Sequence, residues 1–107
     1  MSDRRTVLHE IRALLAAPNG GGEATPPVAR LEHVLTSGYA HALALEAERL
    51  RLERELGAAA RRVGDDGRAG DEVAALAERI SSADVDLSHL RGLLEVLLDR
   101  TRAARAA

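Results

Sequence analysis

The chain has 107 residues, the length of one domain, and a net charge of −2 with the two signs interleaved, which argues against a dominant nucleic-acid surface. It holds no cysteine, so no disulfide supports the fold, and packing alone must do so. Its hydrophobic 46% is almost wholly Leu, Ala and Val, with one Tyr and no Phe or Trp. That palette suits interlocking helices, where Leu and Ala at regular spacing fit without aromatic bulk. All fifteen basic residues are Arg, a bias we read as that of a G- and C-rich coding sequence.

Residues 3–16 read as a short amphipathic helix, because Val7, Leu8, Ile11, Leu14 and Leu15 share one face at helical spacing. Ser2 or Asp3 can cap it. His9, Glu10 and Arg12 interrupt what would be the apolar region of a secretion signal. At this length a helix is marginal alone in water, so it must lie on something. Residues 17–25, with Pro18 and three consecutive glycines, form a linker loose enough to let it fold back.

Thr25, Pro26 and Pro27 are a helix start signal, with Thr as cap and Pro tolerated in the first turn. A second helix runs from 26 to 63. Its seam is Leu31, Leu35, Gly38, Ala42, Leu45, Arg49, Leu52, Leu56, Ala59 and Val63, in alternating steps of about three and four residues. Arg49 is the charged intruder. Arg49 with Glu53 and Arg51 with Glu55 are spaced to bridge along the outer face. Residues 64–70 are a glycine-rich turn, and Gly64 suits a left-handed stop. Asp65 and Asp66 do not have the carboxylate spacing of a calcium loop.

A third helix spans 71–105. Val73, Leu76, Ile80, Ala83, Leu87, Leu90, Leu94, Leu97, Thr101 and Ala104 repeat every three or four residues, apolar at nine of the ten positions. The seam passes in phase through Ser81, Ser82, Asp84, Asp86 and Ser88, so the spacing predicts no break there. No apolar run reaches the ~18 residues that span a bilayer, and the chain reads as cytoplasmic.

The predicted fold is therefore all-α: a long antiparallel, coiled-coil-like helical hairpin with the short N-terminal helix packed at its open end. Facing Val63 with Val73 pairs Ala59 with Leu76, Leu56 with Ile80, Leu52 with Ala83, Leu45 with Leu90, Ala42 with Leu94, and Gly38 with Leu97 or Leu98. Small mostly meets large, as interdigitating layers require. Arg49 is then level with Leu87, and Asp84 or Asp86 can supply an ion pair that fixes register; the alternative is that Arg49 carries its charge outward along an apolar stem.

The seam leaves apolar surface over. Val34, Tyr39, Leu43 and Leu50 make a second stripe on one helix, and Leu93, Val96 and Leu98 on the other. Such a patch needs covering, by the first helix or by a second copy. The expectation is a homodimer and a non-catalytic interaction or scaffold protein offering an apolar helical face to a partner helix. Tyr39, Leu43, Leu50, Leu93, Val96 and Leu98 are its interface candidates. The alternative is a small nucleic-acid-associated factor that touches anions through Arg100, Arg102 and Arg105. No aromatic stacking platform accompanies those arginines. No nucleophile elbow or phosphate loop occurs. Of the histidines (His9, His33, His41, His89) only His89 pairs with a carboxylate at the spacing of a bundle metal site, and that is Asp86 rather than Glu. No enzyme activity, metal or cofactor is expected.

Overall fold

The structure, a computed structural model, describes residues 4–16 and 26–107. Among them are three helices and no strand: α1 (Arg4–Ala16), α2 (Val28–Arg61) and α3 (Ala69–Ala106). α2 and α3 pack against each other as a helical hairpin, and α1 is the short third helix. The linker 17–25 and the candidate caps Ser2, Asp3 and Thr25 lie outside the described residues. α3 is continuous through Ser81–Ser88. α2 begins two residues later than its start signal suggested. The carbonyl of Pro27, not a side chain of the first turn, accepts from Arg30 N (3.0 Å) and Leu31 N (3.2 Å).

The chain forms two compact units: the described parts of Met1–Ala42 with His89–Ala107, and Leu43–Ser88. The second, the turn unit, is two helices thick. Leu52, Ala59 and Leu76 are its buried centre, with Leu56, Val73 and Ile80 packed around them. α2 ends at Arg61, whereas the seam rhythm carried it to Val63. Asp65 N (3.0 Å) and Asp66 N (2.9 Å) both donate to the Arg62 carbonyl, and Ala69 N donates to the Asp66 carbonyl (3.1 Å). The Asp66 carboxylate accepts from Arg68 N at 2.9 Å, which leads the chain into α3. This turn consumes Val63. The residue is half exposed, whereas Val73 packs on the buried centre and Ala69 is buried in this unit. Asp71 and Glu72 occupy the first turn of α3, where the helix dipole favours negative charge. Glu72 also bridges the turn to Arg62 at 2.9 Å.

The first, terminal unit is three helices thick. Its fully buried side chains are Val7 and Ile11 from α1, Val34 from α2, and Leu90, Leu94, Leu97 and Thr101 from α3. Thr101 is tolerated at a seam position because its hydroxyl donates back to the Leu97 carbonyl at 2.8 Å. α1 has 13 residues and is marginal alone. Burying Val7 and Ile11 offsets that, at about 1.5–3 kcal/mol each.

At Gly38 side chains from both other helices approach α2 closely. A methyl group built there would overlap Leu94 Cδ2 and sit 3.4 Å from Ile11 Cδ1. Gly38 thus faces Leu94, one turn short of the Leu97 or Leu98 that the seams alone paired with it.

Two glycines inside helices therefore respond in opposite ways to the same change. Gly92 has open space around its Cα, so Gly92→Ala raises stability by about 0.5–1 kcal/mol through helix propensity alone. Gly38→Ala gains the same term but must displace the buried Leu94. Overpacking costs of about 1–3 kcal/mol outweigh the gain, so the variant melts below wild type. Thermal unfolding of the two variants, followed by circular dichroism, checks both signs.

Candidate interaction surface

The exposed flank of α2 is a consequence of spacing. Gly38, Ala42, Leu45 and Leu52 turn inward, and this places Tyr39, Leu43 and Leu50, at i, i+4 and i+11, on the flank outside the seam. They are 44%, 66% and 53% exposed. Val34 does not belong with them. It lies one turn before the Gly38 notch and is fully buried in the three-helix unit.

On α3 the three interface candidates separate. Leu93 is half-buried and Val96 exposed. They lie on one stripe, His89, Leu93, Val96, Arg100, spaced four, three and four residues apart. Both ends of the stripe touch α1. Arg12 Nη2 donates to His89 Nε2 at 2.7 Å, and Arg100 Nη1 donates to the Leu14 carbonyl at 3.4 Å. Leu98 flanks Leu97 on the other side, half-buried. Periodicity did not show Val85, which is also exposed. It stands two positions from Leu87, outside the three-and-four rhythm.

In the turn unit Arg49 combines both arrangements that its place in the seam allowed. Its stem starts from a seam position, and the side chain as a whole is 43% exposed. There Nε lies 2.8 Å from Asp84 Oδ1 and 3.3 Å from Glu53 Oε1. The Nε–H is aimed at neither oxygen, so these are charge contacts without a hydrogen bond from that nitrogen. Asp86, the other candidate partner, is half-buried in the same unit.

Two of the three tail arginines are engaged inside the terminal unit. Arg100 reaches a carbonyl in the last turn of α1, a group with no partner of its own within that helix. Arg105 forks onto Glu32, with Nε 3.0 Å from Oε1 and Nη2 3.0 Å from Oε2. Arg102 is exposed. Sequence spacing gave no sign of the Arg12, Arg100 and Arg105 contacts, because each joins residues more than seventy positions apart. Among the described residues no three His, Asp or Glu side chains gather as a metal-binding group, and no helix is long and apolar enough to cross a membrane.

The chain matches no protein-family model, no curated protein and no solved structure.

Two electrostatic outcomes follow from this geometry. Arg49 and Asp84 should show a coupling of about 0.2–1 kcal/mol in a double-mutant cycle of Arg49→Ala with Asp84→Ala, shrinking at high salt because both are partly exposed. The hydrogen bond from Arg105, with its positive charge, holds the Glu32 carboxyl below the usual carboxylate range, against a smaller opposing effect of burial. A carboxyl depressed in the folded state stabilises it fully above the unfolded-state value. That contribution is lost as pH falls through the folded-state value. Acid unfolding curves should therefore show wild type losing its advantage over Glu32→Gln on the acid side of the glutamate range, with the gap fully present at neutral pH.

Proposed function

We propose that this is a non-catalytic interaction protein that self-associates as a homodimer and presents an apolar helical flank to a helical partner. The reading is carried by Tyr39, Leu43 and Leu50, three large apolar side chains left exposed along one helix flank while the seam beside them is closed. Side chains of this size in regular array mark association sites more often than free surface. A cytoplasmic location goes with the reading. Leu98 joins the association set on the opposite helix. Leu93, half-buried, and Val96, exposed, belong to the same set on α3. An anion-binding role has less support, since Arg105 is paired with Glu32 and Arg100 directs one donor to the Leu14 carbonyl.

Light scattering tests the reading on wild type and on Leu43→Glu with Leu50→Glu. Both positions are more than half exposed, so the substitutions leave the buried core intact, and circular dichroism verifies this. The expected outcome is a dimer for wild type and a monomer for the variant at equal concentration. A wild type monomeric at every concentration, or a variant that stays dimeric, overturns the proposal.

A further inference from the structure

We infer that the helical partner of the α2 flank is the same flank of a second copy, docked antiparallel, with Leu43 of each α2 level with Leu50 of the other. The inference rests on the self-association proposed above and adds its face, direction and register. Leu43 and Leu50 are 66% and 53% exposed in the turn unit and stand seven residues apart on one helix, so they share a face. Ala47, also exposed, lies between them on the same flank. A two-fold interface uses one patch on both copies, so that residue i meets j and j meets i.

Apolar matching alone does not choose a direction. A parallel pair sets Leu43 on Leu43 and Leu50 on Leu50, and an antiparallel pair sets Leu43 on Leu50 twice. The charged neighbours decide. One turn beyond Leu50 the flank carries Glu53 and Arg54, both exposed, and one turn before Leu43 it carries Tyr39 and Ala40, exposed and uncharged. A parallel pair in register sets Glu53 on Glu53 and Arg54 on Arg54, and like charges so placed repel. With Leu43 level with Leu50 in the antiparallel pair, Tyr39 is level with Arg54 and Ala40 with Glu53. That sets a guanidinium beside an aromatic ring, which is an attractive pair, and separates the like charges.

The two-fold axis of this pair passes between the levels of Glu46 and Ala47. A small residue there lets the two backbones approach, so that the leucines on either side interlock, large against small. Nothing in the hairpin has to open. Leu45 and Leu52 stay buried in their own seam, and the dimer is added on a flank that the seam leaves exposed.

The chain has no cysteine, so single cysteines placed in the full chain report proximity without background. Ala40, Ala47 and Arg54 are exposed and seven residues apart on this flank, and Ala40→Cys, Ala47→Cys and Arg54→Cys leave the buried seam intact. Each variant is mildly oxidised, alone and in mixtures, and read as a dimer band on a non-reducing gel. A disulfide needs Cα atoms about 4.4–6.8 Å apart. In the antiparallel register the two copies of position 47 are nearly level, whereas the two copies of position 40, or of position 54, are roughly 20 Å apart along the helix at about 1.5 Å per residue. Ala47→Cys should therefore crosslink by itself, and Ala40→Cys and Arg54→Cys only when mixed with each other. Adding Leu50→Glu to Ala47→Cys should abolish its crosslink. Three results overturn the inference while self-association, read by light scattering, still stands: a dimer in which Ala40→Cys and Arg54→Cys each crosslink alone, which is parallel; a dimer in which neither Ala47→Cys nor the mixture crosslinks, which uses another face; and an Ala47→Cys crosslink that survives Leu50→Glu. A wild type monomeric at every concentration overturns both readings.

Discussion

Burial of one stripe of Leu and Ala between α2 and α3 is the constraint that everything else in this chain must satisfy. The palette has almost no aromatic residue, so irregular space cannot be filled by bulk. The helices must instead approach where small residues allow it. Ala59 against Leu76 and its neighbours in one unit, and Gly38 against Leu94 in the other, are the two points where this is visible. At Gly38 the close approach also makes a place for Ile11, so the same absent side chain that brings α2 to α3 also brings α1 to both.

Charges decorate this packing without directing it. Arg49 with Asp84, and Arg62 with Glu72, join half-exposed side chains, and such pairs are worth roughly 0.2–1 kcal/mol each. One buried Leu contributes about 1.5–3 kcal/mol, and the seam contains many. Register is therefore set by packing and by where the turn closes, and the ion pairs settle into the positions that result. Arg49 shows the ordering. Its stem starts from a seam position, and it takes the carboxylates it finds there.

The outer surface divides by the same logic. One flank of α3 meets α1 at His89 and Arg100. The flank of α2 that carries Tyr39, Leu43 and Leu50 has no such cover among the described residues. This asymmetry separates two roles that a single apolar inventory would merge. Val34 is buried in the three-helix unit, and Tyr39, Leu43 and Leu50 stay exposed.

Helix identity, the two seams, the absence of a break at Ser81–Ser88 and the need for a third helix were all legible from the sequence alone. Each rests on a period of 3.5 or 3.6 residues, which is a local property of the chain. The candidate association residues Tyr39, Leu43 and Leu50 were legible for the same reason, as apolar positions out of phase with the seam. What the sequence could not supply were quantities that depend on two segments at once. Val63 lies exposed in the turn, and the residue that stands at Gly38 is Leu94. Val34 passes from the exposed stripe to the core of the three-helix unit. Arg12, Arg100 and Arg105 find His89, the Leu14 carbonyl and Glu32 across more than seventy residues. Periodicity says which way a side chain faces along its own helix. Only the tertiary structure decides what stands opposite, because that depends on where the turn closes and how near the backbones come.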